Sequence, residues 1–524
     1  MRSTFYGLSI ASSGLFMSQK QIDVTGHNIA NVNVPGYSRQ RYTSAAVEPY
    51  NSNLFIAPVN TGTVGQGVKS KTLDQIRDQF LDKQFRQTNS DTSYWATKSN
   101  SIQMIEATFS ALDESSLMSK MNSFFNAWTE LQKYPYNPEY RVSVTNAALD
   151  MTSVFQRYYS ELNTQQQNYN GQIEALTKEV NVRAEQIADL NLRIFKYELS
   201  GEKANDLRDQ RNLLIDELSQ YGNIDYKYEQ NQWGDEYLTL YFAGEELVNH
   251  KSYHQIDAVE DPLNLGVDGD TQLYKLVWND GNDGGWSSLL ADTDVLLSAG
   301  ELKGYIDMRD GGGASSASNN SQGVPYYLMQ IDMLANAIVQ EVNAAHRTGY
   351  NKPNSANGMV SETGLDFFDP NYTTARYIKI DDKMLADKNG GNIATEAKPV
   401  EAEPSQQTGG GLIADAISKL WSSNSLPNAS TGAVTGVGTF SGFLNAFIAD
   451  LGTEVNYVKS MEMAQDVVLY NVENSRLSIS GVSLDEEMTE LVRFQHSYSA
   501  SARVITAMDE ALDVLINRMG RVGL

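Results

Sequence analysis

The chain has no cysteine among its 524 residues. That excludes a disulfide framework, a thiolate metal site and a cysteine nucleophile. Histidine is nearly as scarce, with five. His250 and His254 have the spacing of a helical zinc pair, but Lys251 stands where a metalloprotease needs its general-base Glu. Their surroundings read as β, which spreads two imidazoles at that spacing apart. His27 lies between apolar positions of the first helix and reads as a solvent or subunit contact. His346 sits at a helix end, where a protonated ring complements the dipole. His496 lies near Phe494 and Tyr498 and reads as packing. No Gly-x-Ser-x-Gly elbow, P-loop or dinucleotide fingerprint occurs. Asp268-Gly269-Asp270 and the run 279–285 are oxygen-rich without calcium-loop spacing, and read as turns. The expectation is therefore no enzyme: no catalytic residue, no cofactor and no metal site. No apolar run approaches the ~20 residues of a membrane helix. Met1 to Phe5 open the chain without the apolar core and small-residue cleavage site of a secretory signal. Basic residues are outnumbered, 40 Lys+Arg against 65 Asp+Glu, for a net charge of −25. Nucleic acid is thereby disfavoured as a partner.

What the sequence does hold is heptads. Leu8, Leu15, Ile22 and Ile29 recur every seven residues, with Ala11, Ser18 and Thr25 between them. This is a helix with one narrow seam, large at one position and small at the other. It stops at Asn31-Val32-Asn33-Val34-Pro35-Gly36-Tyr37, where Pro35 excludes the helical region for Val34 and Pro-Gly makes a turn. At the other end Leu484, Leu491, Tyr498, Ile505, Leu512 and Met519 share the same period, opened by a capping box, Ser483-Leu484-Asp485-Glu486. Neither seam can make a core alone. The two ends are expected to pair as a coiled coil, with each other or with other subunits, and to become ordered on assembly. Charge agrees: residues 1–66 carry four Lys/Arg against two Asp/Glu, and 481–524 four against seven. Nearly all the negative charge lies between, as expected for a solvated middle joined to ends that pack on copies of themselves.

Residues 38–70 read as an extended linker or short strands. Helical pattern starts at Leu73, Ile76, Phe80 and Phe85 and runs to Leu112, and a shorter piece holds Met121, Phe124, Trp128 and Leu131. From Pro138 to Leu199 one long helix carries Ile173, Val180, Ile187 and Ile194 seven apart, which predicts packing against a second long helix. Asn205-Asp206-Leu207-Arg208-Asp209-Gln210-Arg211 opens another. Residues 222–310 read as β, with strands at 224–229, 237–242 and 272–278 and a hairpin turn at Ala243-Gly244. Helix resumes at Tyr326. A strand is expected at 376–380, and a last inner helix runs from Thr439 towards Leu477. The fold class is α+β: elongated and multidomain, with a terminal helical assembly domain (1–66 plus 481–524), a long-helix bundle in the middle (67–221 plus 324–480) and an inserted β-rich outer domain (222–323). Nesting puts the β insert at the tip and both chain ends at the base.

Ala30-Asn31-Val32-Asn33-Val34-Pro35-Gly36-Tyr37-Ser38-Arg39-Gln40, closing a heptad helix, resembles the signature of bacterial flagellar axial proteins. The Gly-Tyr-Ser-Arg-Gln ending, the run from Asn205 to Arg211 and Val342-Asn343-Ala344-Ala345-His346-Arg347-Thr348-Gly349-Tyr350 resemble the hook-associated family of the hook–filament junction. That family usually has a hydrophobic residue where Arg208 stands, which reads as surface variation. The resemblance implies a structural adaptor outside the cell in the flagellum, exported without a cleaved signal peptide. Its implied partners are copies of itself in a ring, the hook protein, the filament-side junction protein and an export chaperone at the C-terminal helix. Leu8, Leu15, Ile22, Ile29, Pro35, Gly36 and Tyr37 with the C-terminal heptad residues are its expected assembly interface. The alternatives are a hook- or rod-type axial subunit, or a glycan-binding or hydrolytic β insert on an axial scaffold.

Overall fold

The computed structural model describes residues 6–47, 65–109, 116–230, 236–279, 294–313, 319–353, 360–399, 410–423 and 438–514. Helix α1 (Tyr6–Ala30) leads through the Pro35-Gly36 turn into β1 (Gln40–Ala46), which pairs antiparallel with β2 (Val68–Gln75). Leu73 therefore lies in a strand, and helix α2 starts only at Gln79, running to Phe109. Helix α3 (Leu117–Lys133) is capped by Ser116, whose hydroxyl accepts from the Ser119 amide. Helix α4 (Pro138–Glu198) has Asn137 accepting from the Glu139 amide and proline in its first turn, both favourable there. Its 61 residues span about 90 Å at ~1.5 Å per residue.

That length corrects the expected placement of the β elements. α2 carries the chain outward and α4 carries it back before the next strand, at Ile224, begins. α5 (Asn205–Tyr221) and the antiparallel sheet of β3 (Ile224–Gln230), β4 (Glu236–Phe242), β5 (Glu245–Asn249) and β6 (Ser252–Tyr253) then build on the near half of α4. The ribbon of β7 (Gln255–Leu265) and β8 (Gln272–Asn279) follows. Lys83, near the start of α2, bonds Asp225 of β3 at 2.7 Å, so this sheet sits towards the base. The far end is helical. Ala243 and Gly244, both with positive φ, make the β4–β5 turn as read from the sequence. Within the stretch read as β, Glu301–Asp310 forms helix α6.

Two apolar cores result. The far one gathers α3, the first half of α4, α7 (Val324–Arg347), α9 (Leu412–Lys419) and the start of α10 (Phe440–Ser480) around Trp128, Phe155, Tyr327 and Phe367. The short α8 (Asp382–Ala386) belongs to a polar segment folded over it; residues 376–380 make no strand there, only a bridge from Phe368 to Ile380. Fully buried Arg141 ties that segment down, donating to the Gly390 and Ile393 carbonyls and the Thr395 hydroxyl. Burial lowers its guanidinium to about 10. The near core holds Ile173, Val180 and Ile187 of α4 with Ile215 and Leu218 of α5 and strand residues such as Leu240 and Trp278. The α4 seam is thus buried, but by a short helix and strands rather than by a second long helix. Ile187 has no exposed surface. Ile187→Asp should lower the thermal midpoint by an amount equivalent to ~3 kcal/mol or more, from lost apolar burial plus a desolvated carboxylate; an unchanged midpoint would show that water reaches this seam.

Candidate assembly site and its joint

α11 (Leu484–Asp513) returns along α1 in the opposite direction. Three contacts fix the register: Gly7 against Met508, Gly14 against Ser501, and Asn28 donating to Glu487 Oε2 at 3.0 Å. A side chain at Gly7 would strike Met508. The pair closes through small positions, with Ala11, Ser18 and Thr25 buried together with Met17 and Asn28. Leu8, Leu15, Ile22 and Ile29 are only half-buried, as are Leu491, Ile505 and Leu512, while Leu484 and Tyr498 are exposed. Met519 lies outside the described residues. The large seam residues therefore flank the intrachain contact rather than fill it. Ser483 is the N-cap residue of α11 but makes no side-chain cap bond, so the expected capping box does not form; Glu486 instead reaches Arg39 at 2.8 Å.

The turn after α1 is where the terminal pair meets the body. Pro35 is exposed; Gly36 has φ +76° and sits against Leu213 of α5. Half-buried Tyr37 donates to Asn28 Oδ1 at 2.8 Å. Burial, then the charges of Asp206, Asp209 and Glu487, pushes its hydroxyl well above the usual phenol range. Asn28 also accepts from the Gln40 amide at 3.0 Å and donates to its carbonyl at 2.9 Å. The Ser38 amide donates to Asp209 at 3.1 Å, Arg39 Nε to Glu487 at 2.7 Å and Gln40 Nε2 to Asp206 at 2.7 Å. The Arg39 amide meets the Ser480 carbonyl at the α10–α11 elbow at 2.9 Å.

Behind this turn the ion pairs become buried. Arg77 holds Asp82 at 2.9 Å and reaches Asp209. Arg86 Nε donates to Asp216 at 2.7 Å, and Arg476 of α10 bridges Asp82 and Asp216. Burial pushes Asp82 up, but Arg77, Arg86 and Arg476 together pull it below the usual carboxylate range; Asp209 is raised by burial. The N-terminal turn, the Asn205–Arg211 run, α2 and the α10–α11 elbow thus converge on one polar joint. Both sequence runs were visible in the sequence, but their contact was not. His27 contacts Asp206 of its own chain at 3.3 Å. Arg208 is not a surface variation: it donates to both oxygens of Glu198, and both side chains are mostly buried. Asp216 and Arg476 give no sign of this role in the sequence, since isolated charges carry no periodic signal. Of the remaining candidates, His250 lies at the β5–β6 turn, stacked on Tyr237, and no group of three His, Asp or Glu among the described residues is placed to hold a metal. No helix among them is long and apolar enough to cross a membrane.

Chain ends paired as antiparallel helices, locked at their base to a long helical body, define an axial-type assembly subunit. The comparisons agree segment by segment. Residues 8–37 match the flagella basal body rod protein model, 473–519 the C-terminal model of the basal body rod FlgEFG proteins, and 102–368 the helical domain of the flagellar hook-associated protein FlgK. The chain is 31% identical to flagellar hook-associated protein 1 of Bacillus subtilis, over 99% of both chains. It is 24% identical to that of Escherichia coli, over 97% of this chain and 98% of the other. The solved hook junction protein FlgK of Burkholderia pseudomallei superposes with a TM-score of 0.58 at 14% identity, covering 76% of this chain and all of that one. The chain belongs to the flagellar hook-associated protein 1 family, a family of structural subunits of the flagellum.

Proposed function

We propose that this chain is the junction adaptor of its flagellum, a ring of copies set between the hook protein and the filament-side junction protein. Residues 1–66 with 481–524 form the assembly part, joined by β2 (Val68–Gln75), which pairs with β1 alongside α1; the rest of 67–221 with 324–480 forms the helical body, and 222–323 a β-rich part carried on it. Export proceeds without a cleaved signal, with a chaperone holding the C-terminal helix beforehand. The observation that carries the reading is the apolar surface left over once α1 and α11 have paired. Leu484, Met488, Val492, Tyr498 and Val504 of α11 and Phe16 of α1 stay exposed. Separate exposed apolar residues are ordinary, but a run of them along one helix marks a contact surface. Copies and neighbouring subunits packing there remove it from water, and the polar joint fixes the angle at which each body leaves the assembly.

Met488→Glu with Val492→Glu tests this. Neither side chain is buried in the lone chain, so its thermal midpoint should stay within about a degree, surface substitutions shifting stability by ~0.5 kcal/mol or less. Hooks in cells carrying the variant should lack filaments under the electron microscope, and flagellin should appear in the medium. Normal filaments would overturn the assembly role of α11.

A further inference from the structure

Met463, Tyr470 and Leu477 of α10 stand in the same seven-residue phase as Leu484 and the C-terminal seam. The seven-residue phase of the C-terminal seam therefore extends in sequence past the elbow at Gly481 onto α10. With Val467, these side chains are more than half exposed. The other side of α10 is occupied: Val458 and Val472 are buried, and Arg476 turns inward to Asp82 and Asp216. Beside the stripe, Glu462, Asp466 and Glu473 follow one another at spacings of four and seven, which puts them in one row along the helix. Lys459 begins that row. Among the described residues none of the three acids makes an ion pair.

A set of opposite sign lies on the terminal part. Arg41 of β1 and Lys69 and Lys71 of β2 are exposed and make no ion pair among the described residues; Asp74 nearby is already held by Lys203 at 2.6 Å. The ribbon is fixed along α1, with the Val68 amide donating to Ser13 Oγ at 3.2 Å and the Gln40 amide to Asn28. The two sets cannot meet within one chain. Asp466 lies about 20 Å along α10 from Ser480, on the body side of the joint. Lys71 lies on the other side, down the ribbon from Ile76, whose amide bonds the Arg39 carbonyl. Body against body would place acid on acid, whereas residues 1–66 carry four Lys/Arg against two Asp/Glu and are net positive.

We infer that the outer stripe of α10 receives the β1–β2 ribbon of a second copy. The row Glu462, Asp466 and Glu473 faces Arg41, Lys69 and Lys71, and Tyr470 and its neighbours are covered. This rests on the reading of the chain as a self-assembling subunit; it adds the surface, its partner face and the sign of each.

Charge reversal and exchange provide the test, in a strain expressing only the variant. Lys69→Glu with Lys71→Glu should cut the fraction of hooks bearing filaments at least tenfold, with the thermal midpoint unchanged. Adding Glu462→Lys and Asp466→Lys to the same chain should restore most of it. No loss on ribbon reversal, while Met488→Glu with Val492→Glu still abolishes filaments, would overturn the inference and leave the assembly role standing. Loss without restoration would also overturn it, because the ribbon would then have another partner. The cysteine-free chain permits a second readout: when Lys71→Cys and Asp466→Cys chains are co-expressed, oxidation of assembled flagella should give a mixed disulfide dimer. Monomers alone would count against the contact.

Discussion

Alanine at Asp216 should destabilise the chain by ~3–5 kcal/mol, the range for removing one partner of a buried ion pair. The Arg86 side chain is 2% exposed and that of Asp216 10%, so water cannot replace the lost carboxylate without opening the joint. Arg86 has little else to fall back on. Among the described residues its Nη1 has no hydrogen-bond partner and Nη2 reaches Asn212 only at 3.4 Å; the Tyr226 ring lies at 4.5 Å, and Asp82 acts on it through charge alone. A cation over a desolvated ring contributes about 2 kcal/mol, less than the ~3–5 kcal/mol cost of an uncompensated buried charge. Arg476 loses a partner too but keeps Asp82. The double variant Arg86→Met with Asp216→Leu should recover most of the loss, because an apolar pair of similar volume removes the desolvation cost along with the attraction. Urea unfolding of the full chain, followed by tyrosine and tryptophan fluorescence, compares the parent, Asp216→Ala and the double variant. A loss below ~1 kcal/mol for Asp216→Ala would mean that water solvates Arg86 and that the joint is wet.

The same joint marks the limit of what the sequence shows. Heptads made the α4 stripe legible, and Ile173, Val180, Ile187 and Ile194 are all buried. A period reports which face is apolar and says nothing about what covers it, so strands and α5 could stand where a long helix was expected. At the chain ends the period marks the helices that pair, but not which of its positions the intrachain contact uses. Small residues at 11, 18 and 25 let α1 and α11 approach, which leaves Leu8, Leu15, Ile22 and Ile29 half-buried on the shoulders. Arg39 and Glu487 are separated by 448 positions, and Arg476 and Asp216 by 260. Pairs so distant are invisible to any local pattern, even when each partner lies in a recognisable run. The position of the β sheet was missed for a metric reason: chain order suggests nesting, but the length of α4 decides where the strands start.

His346 shows the same limit in its chemistry, and it sets the expected acid response. At the end of α7 it reads as a protonatable ring complementing the helix dipole. In the structure the segment around 365–394 folds over it, and it has no exposed surface. Its Nε2 accepts from the Ala394 amide at 2.9 Å, so in the neutral ring the proton sits on Nδ1, which donates to the Leu365 carbonyl at 2.7 Å. Burial, opposed only in part by that carbonyl and by Asp366, lowers its pKa from 6.5 to about 4. The native state therefore refuses a proton that the unfolded chain takes up below pH 6.5. Above that pH both states are neutral and the contribution to stability is complete. As the pH falls towards 4 it is lost at up to ~1.4 kcal/mol per pH unit, about 3 kcal/mol in all. The far core should feel this most, since the ring packs edge-on against Trp128 and Phe367. His346→Gln should be less stable than the parent at pH 7 but should fall off more slowly between pH 6.5 and 4. The carboxylates that titrate in that range are common to both chains and cancel in the difference. Urea unfolding at half-unit steps of pH reads the two slopes. Parallel profiles would mean that the buried ring is already protonated in the native state, and that the Ala394 amide does not meet it as a donor.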